Sequence, residues 1–311
     1  MTRAPNRRRR RKPRPTRRPR RPRRRRRPRR RKKPTLASSP SEEGQPTVAF
    51  ATVGCRLNRA ETEAAGEEFL QRGWRVVEFN RPADLYFINT CTVTGRADRS
   101  SRQLIHRARR ANPDAVVVAA GCFAARAAEE LARSGEVDVV LGVEEKADPF
   151  AHLPPQGRPP EPIVRVSGAG EPLRAAVGTR VSGRSRAFLK VQDGCDHTCS
   201  YCAVRLARGP SRSAPREEVL QALKRIAAAG FQEVVLTGVD LSAWGRDLES
   251  ESGGLVSLVE DAAELGLPRV RLSSLEPWEL TPERVRRLAA IPAWCGHLHL
   301  ALQSADPEVL R

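Results

Sequence analysis

No stretch of about 18 consecutive apolar residues occurs in this 311-residue chain, so no transmembrane helix is expected. Acidic residues are missing from positions 1–40, which hold 22 of the 56 Lys and Arg. No apolar segment follows those arginines, which excludes a twin-arginine export signal. The seven cysteines cannot all pair and no signal peptide precedes them, so they do not read as a disulfide framework. Thiols kept reduced for metal, in a cytoplasmic protein, are the expectation.

What is present divides in two. The formal charge of +20 resides in residues 1–45, an Arg/Pro-rich tail with no apolar face that is expected to be disordered. The tail reads either as an arm binding nucleic-acid phosphates through counterion release or as an unselective extension. Outside positions 1–40, 34 basic residues meet 36 acidic ones, so the folded part is close to neutral.

From Thr47 onward apolar runs alternate with amphipathic stretches. TVAFATV, a helix over 58–71, WRVVEF and DLYFIN come first. A helix over 97–111, AVVVAA, a helix in FAARAAEELARSG and a last strand VDVVLG follow. This alternation predicts an α/β fold with a doubly wound parallel sheet over residues 46–146. Residues 147–184 are rich in Pro, Gly and Arg and read as a linker. Alternation resumes over 185–311 with SRAFLKVQ, EVVLTG, VRLSS and HLHLAL, and predicts an incomplete (β/α) partial barrel. A four-strand arc has raw edges, so further chain is expected to complete it.

Cys55, Cys91 and Cys122 each follow a predicted strand, and open α/β sheets build ligand sites at those ends. Three cysteines at equivalent places imply a shared metal site rather than three small buried hydrophobes. Cys195, Cys199 and Cys202 form a second group, C-x3-C-x2-C, in the loop after SRAFLKVQ. Three thiolates can hold an iron-sulfur cubane by three corners, and a catalytic site, unlike a structural one, keeps a position open. His197, inside that loop, raises the alternative of a three-Cys, one-His zinc site. It would have to fold back tightly, so a plain loop residue is expected. Cys295 has no obvious partner and is expected to be a buried spare thiol.

Cys195, Cys199, Tyr201 and Cys202 fit C-x3-C-x-aromatic-C, and here the chain resembles the radical S-adenosylmethionine (radical SAM) enzymes. TVGCRLNRAETE, INTCTVTGRADRSSRQ and AAGCFAA resemble the amino-terminal domain of the methylthiotransferases. GCDHTCSYCAVRLARGPSRS, EVVLTGVDLSAWGRD, RLSSLEP and HLHLALQS resemble their radical domain. The resemblance runs from about Thr47 to the end. Within the family, GCRLN, ETE and NTCTVT are most similar to the tRNA enzymes acting on threonylcarbamoyladenosine. Enzymes for isopentenyladenosine tRNA or a ribosomal-protein aspartate are alternatives, as is an inactive truncated fragment with structural metal only.

The resemblance implies two [4Fe-4S] clusters, one on Cys195, Cys199 and Cys202 and one on Cys55, Cys91 and Cys122. It implies that the first binds S-adenosyl-L-methionine and cleaves it to a 5′-deoxyadenosyl radical. That radical takes hydrogen from C2 of the modified adenine beside the anticodon, while the second cluster carries sulfur. Gly238, Ser273, Ser274 and Gln303 are implied contacts of the S-adenosylmethionine nucleotide, and Tyr201 packs beside the cluster. The implied partners are a tRNA anticodon stem-loop and an electron donor such as flavodoxin or ferredoxin. A monomer without membrane attachment is expected.

Arg208 and Arg212 are candidates for the S-adenosylmethionine carboxylate or an RNA phosphate, against the plainer reading of solvated arginines. The helix carrying Arg96, Arg99, Arg102, Arg107, Arg109 and Arg110 against Asp98 reads as an RNA-backbone track or a solvated face. His297 and His299 alternate on one side of a strand, in the barrel interior or in ordinary packing. The chain departs from the family pattern at Arg205, where proline is common, and at Ala305-Asp306-Pro307 after Gln303-Ser304. The rest of the barrel and the family's carboxyl-terminal RNA-binding domain lie outside this sequence.

Overall fold

Apolar strands too short to stand alone build the first sheet. The computed structural model describes residues 44–309 apart from 169, 171, 176, 179–184 and 250–252, and the expectation of a disordered tail lies outside the described residues. β1 (Thr47–Thr52), α1 (Arg56–Gln71), β2 (Arg75–Val77) and β3 (Leu85–Thr90) come first. α2 (Gly95–Ala111), β4 (Val116–Gly121), α3 (Cys122–Arg126), α4 (Ala128–Arg133), β5 (Val139–Leu141) and β6 (Ile163–Arg165) follow. All six strands pair in parallel, in the order β2-β1-β3-β4-β5-β6.

β3 and β4 are buried along their whole length, as central strands covered on both faces must be. Alternate residues feed two cores. Ala49, Tyr86, Ile88, Val117 and Ala119 join Ile105 of α2, Phe123 of α3 and Leu131 of α4 on one face. Val48, Leu85, Phe87 and Val118 join Ala65 and Phe69 of α1 on the other. The expected doubly wound arrangement is therefore present, with its switch point between β1 and β3. α2 starts where the Thr94 hydroxyl accepts from the Ala97 N–H at 3.1 Å, and Pro113 follows its C-cap, Asn112.

Two expectations need correction. The single helix read in FAARAAEELARSG is two, broken at Ala127 (φ −117°, ψ 29°). On one continuous helix Phe123 and Leu131 would point about 80° apart; the break lets both reach the same core. VDVVLG is not the last strand, because β6 pairs with β5 from within the stretch read as linker. β6 is a three-residue edge strand whose second and third residues are exposed, so no alternation marks it. Phe150, from the same stretch, packs against Phe69 and Trp74 with ring centroids 4.5 and 6.4 Å apart.

The second half runs β7 (Arg186–Lys190), β8 (Gln192–Asp193), α5 (Val204–Arg208), β9 (Arg212–Ser213) and α6 (Arg216–Ala228). It continues through β10 (Glu233–Thr237), α7 (Gly254–Glu264), β11 (Val270–Leu272), β12 (Ser274–Leu275), α8 (Pro282–Ala289) and β13 (His299–Leu300). β11-β10-β7 form a parallel sheet, β12 pairs in parallel with β13, and β8 pairs with β9. Leu189, Val234, Leu236 and Leu272 pack beneath Leu223 and Ile226 of α6, Leu258 of α7 and Leu288 of α8. This is the partial (β/α) barrel expected. HLHLAL, read as one strand, pairs only at His299 and Leu300, because β12 offers two residues; His297 lies outside it.

The two sheets meet where α1 packs on β7 and α3 on α5. Ala60, Phe188 and Val235 form a small core of their own. No described helix is long and apolar enough to cross a membrane.

Candidate metal centres

Cys55 is the N-cap of α1, Cys91 follows β3, and Cys122 opens α3. β1, β3 and β4 are neighbours, so the three cysteines converge at one carboxyl edge beside the switch point. Cys91 and Cys122 are buried and Cys55 is exposed. Burial pushes the Cys91 thiol up; a backbone N–H at Val93 opposes this, and the neighbouring Cys122 and Cys55 add to the rise. A cationic centre beside Cys91 would favour its thiolate, and with Cys55 and Cys122 at the same edge the group fits a three-thiolate cluster. Gly54 (φ +104°) makes the approach possible, because a Cβ there would stand 2.7 Å from the Cys91 sulfur. Asn58 Nδ2 ties the edge together, donating to Val53 O at 2.7 Å and Thr90 O at 3.0 Å.

In the second group Cys195 and Cys202 are half-buried and Cys199 is exposed. Gly194 (φ +71°) precedes Cys195, and a Cβ there would overlap the Pro210 carbonyl. The Cys195 N–H donates to Gly209 O at 3.2 Å and the Cys202 N–H to Cys199 O at 3.1 Å. Buried Gln192 staples the loop: Nε2 lies 2.8 Å from Gly194 O and 3.0 Å from both Asp193 O and Ser211 Oγ. Its Oε1 accepts the Asp240 N–H at 2.9 Å. Burial pushes the Cys195 thiol up; a backbone N–H at His197 opposes it, and Asp240, Cys202 and Cys199 add to it. Three thiols in one loop, its backbone pinned by Gln192 and by the Cys195 and Cys202 N–H groups, would suit a cluster.

His197 is more than a plain loop residue. Its Nε2 lies 3.3 Å from Asp240 Oδ2, and its ring meets Trp278 edge-on at 5.7 Å. Ligand atoms of Cys195, His197 and Asp240 lie within 4.8 Å of one another. Burial pushes the Asp240 carboxyl up against the pull of His197 and Arg246, and its Oδ1 is buried without a hydrogen bond. A zinc ion there would take Cys195 from Cys199 and Cys202, whereas a cluster uses all three thiols.

Arg208 overturns the reading of a solvated arginine. It is 3% exposed, because α5 carries it into the seam between the sheets. Nε donates to Cys122 Sγ at 3.2 Å, Nη1 to Asp193 Oδ1 at 2.8 Å and Glu61 Oε1 at 3.0 Å, and Nη2 to Asn58 Oδ1 at 2.7 Å. Lys190 Nζ pairs with Glu61 at 3.1 Å and Asp193 at 3.2 Å, and Lys146 Nζ with Glu61 at 2.6 Å. Burial alone would raise the Glu61 carboxyl, but Arg208, Lys146 and Lys190 outweigh it and hold it well below the usual range. Asp193 is held low in the same way by Arg208 and Lys190. Arg212 is half-buried and bonded to Glu144 at 3.0 and 2.5 Å. Neither arginine is left free for a carboxylate or phosphate ligand. Sequence reasoning missed this network, although charged residues closing a buried strand (Lys190, Asp193) were its signal.

The remaining site candidates fall into pairs. The Gly238 N–H lies 3.4 Å from Ser273 Oγ, Ser274 Oγ 3.0 Å from His299 Nδ1, and the Tyr201 hydroxyl donates to Gln303 Oε1 at 2.5 Å. Tyr201 is 70% exposed rather than tucked into the chain. Gln303 is the single non-glycine residue with positive φ (63°) among the described residues. Cys295 is half-buried, not buried, and its N–H donates to Val270 O at the amino end of β11, away from the cysteine loop. On α2, Arg102 forks onto Glu130 at 3.0 and 3.2 Å and Arg109 pairs with Asp138, while Arg96, Arg99 and Arg110 stay exposed.

Residues 47–142 match the family model described as Uncharacterized protein family UPF0004, and residues 189–311 match the Radical SAM superfamily. The chain is 35% identical to the threonylcarbamoyladenosine tRNA methylthiotransferase MtaB of Bacillus subtilis, covering 85% of this chain and 59% of that protein. It is 38% identical to the MtaB of Aquifex aeolicus, covering 85% and 64%. The chain thus spans about three fifths of the length of these relatives. Its fold is similar to that of the radical S-adenosylmethionine methyltransferase TsrM from Kitasatospora setae, with a TM-score of 0.54, 16% identity and coverage of 86% and 62%. Two family models matched in this order, with such identity to curated members, place this protein in the MtaB-type radical SAM methylthiotransferase family.

Proposed function

We propose that this protein is a tRNA methylthiotransferase adding a methylthio group to C2 of N6-threonylcarbamoyladenosine at position 37, with two [4Fe-4S] clusters and S-adenosyl-L-methionine as cofactors. The observation that carries this reading is the convergence of two cysteine trios at the ends of adjoining parallel sheets. The names of the curated relatives support the choice of threonylcarbamoyladenosine. When bound, the clusters supply the one-electron and sulfur chemistry.

The chain's residues bind, orient and shield. Cys195, Cys199 and Cys202 hold one cluster and Cys55, Cys91 and Cys122 the other. Gln192 fixes the backbone of the first loop, and Asn58 that of the second site. Gly238, Ser273, Ser274 and Gln303 contact the S-adenosylmethionine nucleotide, and Tyr201, bonded to Gln303, holds that residue beside the loop. Residues 46–146 form the amino-terminal methylthiotransferase domain, to which the connecting stretch 147–184 adds β6 and Phe150, and 185–311 form the radical SAM domain. The partners are the tRNA anticodon stem-loop and a flavodoxin- or ferredoxin-like electron donor, and the protein acts as a cytoplasmic monomer.

Nucleoside mass spectrometry of tRNA from a deletion strain complemented with this gene tests the reading. Restored methylthio-threonylcarbamoyladenosine is expected. An unchanged tRNA profile, or a change confined to isopentenyladenosine or to a ribosomal protein, sinks the substrate assignment.

A further inference from the structure

We infer that Arg208 is a positioning residue that holds the Cys122 sulfur by a hydrogen bond and raises the reduction potential of the cluster on Cys55, Cys91 and Cys122. The inference rests on the cluster assignment proposed above. Arg208 Nε donates to Cys122 Sγ at 3.2 Å. The guanidinium cannot swing away, because Nη1 is bonded to Asp193 and Glu61 and Nη2 to Asn58 and Glu61. With both terminal nitrogens engaged, the planar fork aims its Nε–H at the sulfur. A lysine ammonium could satisfy the carboxylates but could not also span to Cys122.

Charge points the same way. Glu61 and Asp193 meet Arg208, Lys190 and Lys146, so two carboxylates share three cations in this seam. The surplus positive charge stands beside a ligand sulfur. A donor and a positive charge there favour the more electron-rich state of a cluster, since hydrogen bonds to the sulfurs and net charge set its potential. Asp193 Oδ1 also accepts the Gly194 N–H at 2.8 Å, one residue before Cys195. One guanidinium therefore joins a ligand of one cysteine trio to the loop backbone of the other.

The test uses the full chain with Cys195, Cys199 and Cys202 changed to Ala, so that one cluster reports, reconstituted anaerobically with iron and sulfide. With 15N-labelled arginine, pulsed electron paramagnetic resonance of the reduced cluster is expected to show a 15N coupling that R208K abolishes. In a redox titration R208K should hold about one tenth of the parent's reduced-to-oxidised ratio at the parent's midpoint, a shift of about 59 mV to more negative potential for one electron. No arginine coupling in the parent, or an R208K potential equal to the parent's, overturns this inference and leaves the cluster assignment standing. A parent that binds no cluster overturns both. If R208K fails to fold, the coupling in the parent alone decides.

Discussion

Cys195, Cys199 and Cys202 lie within eight residues of one another, whereas Cys55, Cys91 and Cys122 meet only once β1, β3 and β4 have paired. The local trio is half-exposed and depends on a glycine turn and the Gln192 staple. The dispersed trio has two buried members and depends on the whole sheet, on Gly54 and on Asn58. A thiol set written into one loop can be read from spacing alone; a set assembled by topology exists only in the folded state.

The largest expected effect separates the trios outright. Reconstituted protein should hold about eight irons, and changing either trio to alanine should remove roughly half and abolish methylthio product. Iron analysis giving a single fully coordinated centre, or one triple substitution that strips both, breaks the comparison. Next comes the seam that both trios lean on. Glu61→Gln leaves Lys146, Lys190 and Arg208 short of one buried carboxylate, and should cost about 3–5 kcal/mol in denaturant unfolding of the iron-free chain.

The acid limb sharpens the same point. Glu61 and Asp193 have folded values depressed below an unfolded value of about 4, so their contribution is fully present above that pH and is lost as pH falls through the depressed values. Unfolding measured between pH 7 and 3 should show this loss below about pH 4, and Glu61→Gln should flatten it.

Smaller substitutions should discriminate between the trios. Gly54→Ala forces a side chain onto φ +104° and into the Cys91 sulfur, costing about 1–3 kcal/mol and lowering iron retention at Cys55, Cys91 and Cys122 only. Gln192→Ala leaves the Asp240 N–H and the Gly194 carbonyl without their partner, costing about 1 kcal/mol per unmet group. Iron loss there should be confined to the Cys195 loop. Equal loss at both trios from either change would show that they are not held independently.

Much of this was legible in the sequence because period and position carry it. The apolar runs within DLYFIN and AVVVAA gave the central strands, and a cysteine after each of three strands gave the first trio. What escaped has physical reasons. β6 escaped because an exposed three-residue edge needs no alternation. The break at Ala127 escaped because helix propensity is the same on both sides and only the demands of the core impose it. Arg208 escaped because burial of a cation is decided by partners 147 and 15 positions away, Glu61 and Asp193, which no local window contains.

Glu61 gathers ammonium and guanidinium groups from three separated stretches, so the spacing between those stretches is free only where the intervening chain loops outward. The exposed tip at Gln156 and Gly157 is such a place, and nothing stands within 4 Å of a Cβ built on Gly157. A peptide tag spliced between these two residues should be tolerated, whereas an insertion beside the buried Lys190, Gln192 or Asp193 should pull the knot apart.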